Sequence, residues 1–189
     1  MRTEAFSNAI IYRTDSKLPK NLIDEMREYC MDLEYQPSLT AGAKRKENVR
    51  TSMNYWLPWD HWIAGILHNM FISANNAYFG YDLDHFETGI QVTSYTDNQR
   101  YDWHVDGMPP TPEGTERKLS ISFLLTPESE YKGGNFEMSY SPRSTSIKTF
   151  RPDAGHALIF PSWIPHRVTP VTEGRRISLV AWMQGPKFK

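Results

Sequence analysis

Hydrophobic positions recur at helical spacing in the first part of the chain. Four apolar side chains share one face of a helix predicted within residues 18–35, namely Leu22, Met26, Tyr29 and Leu33. A second helix is predicted to begin near "LPWDHW" (57–62) and to run through residue 79. Apolar residues lie on more than one side of it, which indicates a well-buried helix. Between the two helices, the basic, glycine-containing segment "TAGAKRKENVRTS" (40–52) predicts a loop.

From about residue 86 the pattern changes to short runs of β-branched and aromatic residues separated by turn formers. Seven strands are predicted, in "HFETGIQVTSY", "KLSISFLL", "GGNFEMSY", "STSIKTF", "HALIF", "HRVTPV" and "RISLVAW". Closely spaced short strands favour a double-sheet jelly roll or barrel covered by the preceding helices. We therefore predict one α+β domain over residues 1–189, with a mainly helical support region (1–85) and a β core (86–184).

Composition narrows the possible partners and the compartment. The 21 basic and 22 acidic residues give a formal net charge of −1, so we expect neither nucleic acid nor an acidic membrane as partner. The single cysteine, Cys30, excludes an intrachain disulfide and any multi-cysteine metal site. With no apolar run approaching the ~20 residues that span a bilayer and no signal-peptide core, we expect a soluble, cytoplasmic protein.

A candidate metal site lies in "YDWHVDGMPP" (101–110). In a strand, residues two apart point to the same face, so His104 and Asp106 can converge on one ion. A second histidine would complete a facial triad, a ligand set typical of Fe(II) oxygenases. His166 opens a late β-run and is suited to pair beside the first ligand strand. The alternative is that His104 and Asp106 are polar residues at the end of a strand.

The segment after His166, "HRVTPVTEGRRISLVAW", predicts a hairpin with its turn at "TEG". Strand alternation places Arg176, Ser178, Val180 and Trp182 on one face. Arg175, Ile177, Leu179, Ala181 and Met183 then share the other face. A guanidinium facing a pocket is suited to bind a carboxylate through two hydrogen bonds. The alternative is that Arg175 and Arg176 are solvated residues at a turn.

These residues together resemble a known family. The order Tyr95, Tyr101-x-x-His104-x-Asp106, Gly133-Gly134 and His166-x-Val168-Thr169-Pro170-Val171-x-x-Gly174-x-Arg176 resembles the Fe(II)- and 2-oxoglutarate-dependent oxygenases. It is most similar to the prolyl 4-hydroxylase-like group, which includes the bacterial PKHD-type hydroxylases. The resemblance covers roughly residues 88–184, and the first half matches only loosely, through "NVRTSMNYWLP".

The resemblance implies a double-stranded β-helix (jelly-roll, cupin-like) core with the N-terminal helices packed on one sheet. It implies His104, Asp106 and His166 as Fe(II) ligands. It implies Arg176 and Tyr95 as residues that bind the distal carboxylate of 2-oxoglutarate. O2 would be the second cosubstrate, and ascorbate is a candidate reductant. Substrate contacts are expected among Tyr101, Trp103, Arg117 and Trp163.

The resemblance also implies a reaction. Related halogenases replace the carboxylate ligand by a small residue, so Asp106 favours hydroxylation over halogenation. The implied substrate is a prolyl residue in a peptide or protein, and the alternative is a free amino acid or small metabolite. Two other function classes stay open: a non-oxidative zinc or manganese enzyme on a cupin-like barrel, and a binding module without catalysis.

Overall fold

The computed structural model describes residues 12–39, 49–87, 89–107, 109–112, 114–139 and 147–187. Two α-helices precede most of the strands: α1 (Lys20–Met31) and α2 (Trp62–Ala74), the latter continuing as a π-helical turn over Asn75–Phe79. Part of the predicted loop, residues 40–48, lies outside the described residues. In the part of the chain that the structure describes, no helix is long and apolar enough to cross a membrane.

The strands form a large sheet, a smaller sheet and a separate two-stranded ribbon. In spatial order, the large sheet contains β1 (Tyr12–Asp15), β11 (His156–Pro161), β7 (Thr115–Leu124), β14 (Arg176–Pro186), β5 (Gly89–Tyr95), β3 (Met53–Pro58) and β2 (Gln36–Pro37), and β4 (His85–Phe86) also pairs with β14. The smaller sheet contains β10 (Ile147–Phe150), β9 (Phe136–Ser139), β12 (His166–Val168) and β6 (Tyr101–His104). The ribbon pairs β13 (Val171–Gly174) with β8 (Tyr131–Gly133).

Alternation along the central strands assigns the two faces of the large sheet to different neighbours. On β5, Ile90 and Val92 pack in the same core cluster as Met26 of α1 and Phe71 of α2. On the opposite face, Tyr95 belongs to a second cluster shared with the smaller sheet. The predicted jelly-roll core with helices packed on one sheet is confirmed.

The first helix lies within the predicted range, and Leu22, Met26 and Leu33 of the predicted apolar set pack against the core, whereas Tyr29 does not. Pro19 directly precedes α1, consistent with the preference for proline at helix starts. Met26 and Cys30, four residues apart, are buried, whereas Tyr29 is 43 % exposed. The cysteine therefore belongs to the helical core, where burial raises the pKa of its thiol to about 12.

The region before residue 86 also contributes strands β1, β2 and β3, which the sequence analysis missed. The sequence of β3, "MNYWLP", carries apolar residues on both faces, so alternation does not reveal it. Its six residues pair with Gly89 to Ser94 of β5. Pairing with a distant strand, rather than a local signal, places it in the sheet.

The predicted hairpin from His166 to Trp182 is wrong. β12 pairs with β9 and β6 in the smaller sheet, β13 pairs with β8, and β14 lies in the large sheet. Gly174 has φ = +73°, and a Cβ there would lie 2.1 Å from the carbonyl oxygen of Glu130. This turn sends the chain from the ribbon into the other sheet, so the two strands face each other across the core instead of pairing.

Candidate metal centre

Two histidines stand side by side on adjacent strands of the smaller sheet. His166, at the start of β12, is paired in register with His104, at the end of β6. Their imidazole centroids are 4.1 Å apart. The prediction that His166 lies on a strand beside the first candidate ligand is therefore confirmed.

Asp106 reaches the same point from just beyond the strand. Its backbone N–H donates to the carbonyl of Ser162 at 2.9 Å, which fixes the chain after β6 ends at His104. Its Oδ1 lies 3.7 Å from Nε2 of His104, and its Oδ2 lies 3.6 Å from Nε2 of His166. The contact with the Ser162 segment, rather than strand alternation, therefore orients the carboxylate.

Hydrogen bonds leave the Nε2 atom of each imidazole available to bind a cation. Nδ1 of His104 is 2.8 Å from the carbonyl of Asp102, and Nδ1 of His166 is 2.9 Å from the carbonyl of Ile164. A carbonyl oxygen only accepts, so Nδ1 must carry the proton in each ring. Each Nε2 then keeps its lone pair pointing toward Asp106, as in metal-binding histidines whose other nitrogen is held by the protein.

The electrostatics of the three side chains also suit metal binding. Burial, together with the neighbouring His166 ring, lowers the pKa of His104 to about 3, so this imidazole is neutral at pH 7. Burial alone would raise the pKa of the Asp106 carboxyl. His166, His104 and the side chains of Trp182 and Ser120 outweigh burial and hold that pKa below its usual value.

The donor set fits a divalent transition metal. One ligand atom from each of His104, Asp106 and His166 lies within 4.8 Å of the others. Two imidazoles and one carboxylate on one side of an ion leave its remaining positions open, which suits Fe(II) in particular. The side chains are 5–13 % exposed, so the site is largely shielded from solvent.

Arg176 is a fully buried guanidinium facing the same cavity. It is 1 % exposed, and its Nη1 donates to Ser178 Oγ at 2.9 Å. Its Nε and Nη2 have no hydrogen-bond partner within the described residues. Buried guanidinium groups need a counter-charge, so these free donors fit a carboxylate.

The neighbouring Arg175 points to the opposite side of the sheet. Its Nε donates to Ser94 Oγ at 2.9 Å, and its Nη1 donates to the carbonyl of Met31 at 3.2 Å. The alternation predicted for β14 is thus correct. Of the two arginines, Arg176 is the one that faces the cavity.

The cavity between the two sheets has a volume of about 520 Å³. The metal-site residues form one wall, and Arg176 and Tyr95, paired in register on β14 and β5, lie in the opposite wall. The Arg176 guanidinium carbon is 5.6 Å from the Tyr95 ring centroid. The polar face of the large sheet supplies much of the remaining lining, namely Asn54, Gln91, Thr93, Ser122 and Ser178.

The four expected substrate-contact residues occupy different environments. Tyr101 lines the cavity and stacks on His104. Trp103 instead lies under the Arg167 guanidinium, 4.8 Å from its ring centroid, and Trp163 packs edge-on against Tyr81. Neither tryptophan is among the described residues that line the cavity. Strand alternation turns Trp103 to the face opposite His104.

Arg117 lines the cavity but is fully engaged by the protein. It forms two short bonds with Glu87, at 2.5 and 2.6 Å, and its Nη1 donates to the carbonyl of Asp106 at 3.2 Å. Its guanidinium also lies 3.9 Å from the Trp182 ring centroid. Arg117 is therefore paired rather than solvated. It supports the backbone of a candidate metal ligand.

Sequence analysis missed several cavity residues in and near β3. Arg50, Asn54 and Trp56 line the cavity, as does Gln91 beside them on β5. Asn54 Nδ2 donates to Gln91 Oε1 at 3.4 Å. Only the loosely matching segment "NVRTSMNYWLP" pointed to this region, and it identified no individual residue.

Comparison with known proteins matches the second half of the chain to one family. The family model of the 2OG-Fe(II) oxygenase superfamily matches residues 90–184. A PKHD-type hydroxylase of Alteromonas mediterranea is 36 % identical over 94 residues, which are 48 % of this chain and 40 % of that protein. The match with a PKHD-type hydroxylase of Saccharophagus degradans is longer, at 26 % identity over 186 residues, 93 % of this chain and 78 % of that protein.

Solved structures share the fold at low sequence identity. A Pseudomonas putida prolyl-4-hydroxylase superposes with a TM-score of 0.71 and 20 % identity, covering 94 % of this chain and 93 % of that one. A Trichoplax adhaerens prolyl hydroxylase, in complex with a hypoxia inducible factor peptide fragment, gives a TM-score of 0.74 and 17 % identity. That match covers 92 % of this chain and 82 % of the Trichoplax chain.

Proposed function

Because this chain belongs to the 2OG-Fe(II) oxygenase superfamily, we propose that it is an Fe(II)- and 2-oxoglutarate-dependent dioxygenase that hydroxylates a C–H bond. The observation that carries the proposal is one cavity with two complementary walls. One wall presents the imidazole and carboxylate atoms of His104, Asp106 and His166, and the other presents Arg176 with two unpartnered guanidinium nitrogens. A non-oxidative metal enzyme has no need for the second wall.

The residues of the chain bind and orient the reactants. His104, Asp106 and His166 hold Fe(II), and the backbone carbonyls of Asp102 and Ile164 keep both imidazoles in the tautomer that can bind it. Arg176 binds the distal carboxylate of 2-oxoglutarate, and Tyr95 beside it contributes to the same site. The low exposure of these side chains limits the access of water to the reacting groups.

When bound, Fe(II) with 2-oxoglutarate and O2 supplies the oxidation, placing one oxygen atom in the substrate and the other in succinate as CO2 leaves. The protein directs the outcome through its ligand set. Asp106 supplies the carboxylate whose replacement would make room for a halide, so hydroxyl is the group transferred.

We propose a prolyl residue in a peptide or protein as substrate, because this chain shares the fold of a prolyl-4-hydroxylase and its motif resembles that of the prolyl 4-hydroxylase-like group. The matched segment covers 40 % of the length of the Alteromonas relative, and the cavity of this chain itself suits a prolyl ring. Tyr101, Trp56 and Trp182 give the cavity flat apolar surfaces suited to a small ring. A free amino acid or small metabolite is the alternative.

The test is a screen for succinate formation from 2-oxoglutarate with Fe(II) and ascorbate, in the presence of proline-containing peptides or free amino acids. We expect one of them to stimulate succinate release and to gain the mass of one oxygen. Activity that depends on zinc or manganese and consumes no 2-oxoglutarate would favour the non-oxidative enzyme instead.

Single substitutions connect that activity to the site. His104→Ala and Asp106→Ala should abolish turnover while the circular dichroism spectrum stays that of the folded protein. Arg176→Ala should steeply raise the 2-oxoglutarate concentration required. Full activity in either ligand variant would contradict the assignment of the metal site.

A further inference from the structure

Arg50 is a second buried guanidinium in the cavity wall, with one nitrogen unused. The residue is 5 % exposed, and its Nε donates to Ser52 Oγ at 2.8 Å. Its Nη1 reaches the carbonyl of Leu39 at 3.4 Å, and its Nη2 has no hydrogen-bond partner within the described residues. None of these partners carries a negative charge.

Arg50 also lies close to the candidate metal ligands. Its guanidinium carbon is 4.4 Å from the ring centroid of Tyr101, and that ring stacks on His104. All three residues line the same cavity. A group bound by Arg50 is therefore held on the side of the cavity next to the metal site.

The other charges of the site have counterparts once the proposed reactants are bound. Arg117 pairs with Glu87, and Arg176 would pair with the distal carboxylate of 2-oxoglutarate. The remaining charge of 2-oxoglutarate and Asp106 would balance Fe(II). Among the described residues that line the cavity, Asp106 is the only acidic one, so none of them is left to balance the positive charge of Arg50.

From this imbalance we infer that Arg50 binds a carboxylate of the substrate, so that the substrate is an acid whose carboxylate lies near the oxidised carbon. This inference rests on the proposed function, because it assigns the substrate class of the same site. For a prolyl substrate the carboxylate belongs to a free amino acid or to the C-terminal residue of a peptide, because a prolyl residue in the interior of a peptide has no free carboxylate. An ionised acceptor gives Arg50 a charge-assisted hydrogen bond that a neutral amide cannot match.

The test measures binding without turnover. The protein is loaded with Mn(II) and N-oxalylglycine, a non-reacting analogue of 2-oxoglutarate, and titrated in a calorimeter with N-acetyl-L-proline or its neutral amide. We expect the acid to bind about tenfold to about a hundredfold more tightly than the amide. In Arg50→Gln this preference should disappear, and in Arg50→Lys, which keeps the charge, part of it should remain.

Further titrations identify the source of the carboxylate and guard against a general loss of charge. Free L-proline and a tripeptide ending in proline, each compared with its amide, distinguish an amino acid from a peptide terminus. Arg151→Gln removes a half-exposed arginine that pairs with Glu128 at 3.2 Å, and it should leave the preference for the acid unchanged.

Equal affinity for acid and amide in the unsubstituted protein would overturn the inference. So would a preference that persists in Arg50→Gln, no detectable binding of any acid probe, or acid binding only when N-oxalylglycine is omitted, since the probe would then occupy Arg176. The proposed function is judged separately. Failure of Mn(II) and N-oxalylglycine to bind in the loading step would count against it and not against the behaviour of Arg50.

Discussion

A single buried imidazole makes the stability of the metal-free protein depend on pH. The pKa of His104 is about 3 in the folded protein, against 6.5 for an unperturbed histidine. At a pH between these two values, His104 is protonated in the unfolded chain but not in the folded protein. Stability is therefore lost as pH falls through this window, by about 1.4 kcal/mol per pH unit where the difference is a full proton.

Urea unfolding of the metal-free protein at pH 7, 5.5 and 4.5 measures this dependence. The free energy of unfolding should fall between pH 7 and 4.5, and His104→Gln, whose side chain stays neutral, should show a shallower fall. Parallel curves for the two proteins would mean that His104 does not remain neutral in the folded state.

The ion pair between Arg117 and Glu87 is expected to act on the metal through the backbone of Asp106. Glu87→Gln removes the charge that holds the Arg117 guanidinium against the Asp106 carbonyl. We expect Mn(II) affinity, measured by the electron paramagnetic resonance signal of the free ion, to fall about tenfold. The matched control is Glu137→Gln. Glu137 pairs with Arg167 at 2.7 Å, and Arg167 is not among the described residues that line the cavity. An equal loss in both variants would contradict this role.

At the scale of elements, strand alternation predicts which face of a strand each side chain occupies. It does so without knowledge of the neighbouring strand. The faces of β14 follow directly from its alternation, and burial of Ile177 and Leu179 opposite Arg176 bears this out. Strand pairing does not follow from alternation. The "TEG" segment has residues typical of a hairpin turn, but at Gly174 the chain passes into another sheet, and no local sequence pattern predicts which strand becomes the partner.

Gly134, which directly follows β8 of the ribbon, packs closely against the side chain of Arg176. It has φ = +59°, and a Cβ there would lie 2.8 Å from Val171 Cγ2 and 2.9 Å from Arg176 Cδ. Gly134→Ala should therefore displace the arginine stem and weaken 2-oxoglutarate binding, measured by calorimetry on the Mn(II) protein, about tenfold.

Gly80 provides the matched control for that substitution. It has φ = +67°, and a Cβ there would meet nothing within 4 Å. Both alanine variants should lose about 1 kcal/mol or more of stability from the left-handed backbone conformation. Only Gly134→Ala should change 2-oxoglutarate affinity, and equal affinities in the two variants would separate Gly134 from the site.

For the whole molecule, the site could be predicted in part because the candidate metal ligands and Arg176 lie in recognisable sequence motifs. The residues that form the rest of the cavity wall could not be predicted from the sequence. Trp56 and Gln91 are directly opposite each other on β3 and β5, and Gln91 is opposite Val180 on β14, so this wall is assembled from three distant segments. Arg50 instead forms an isolated bridge to Tyr101, on β6 of the smaller sheet. Such contacts depend on how the strands of both sheets are ordered, which the sequence pattern of each strand leaves open.

Mn(II) and 2-oxoglutarate bind to opposite walls of the cavity and bind only the folded protein. Each ligand should therefore stabilise the protein against unfolding. A ligand at about 100 times its Kd adds about 2.7 kcal/mol to the free energy of unfolding. We expect Mn(II) alone to raise the thermal midpoint and 2-oxoglutarate to raise it further only when Mn(II) is present, because the arginine wall contacts just one end of the cosubstrate. Arg176→Gln should keep the Mn(II) increment and lose the 2-oxoglutarate increment, whereas Arg175→Gln, whose side chain contacts Ser94 and Met31 on the other face, should keep both. Thermal unfolding of the three proteins with each ligand combination measures these increments.

If Arg175→Gln lost the 2-oxoglutarate increment and Arg176→Gln kept it, Arg175 would be the residue that binds the carboxylate. If 2-oxoglutarate gave no increment with the unsubstituted protein, the second wall would serve a different acid.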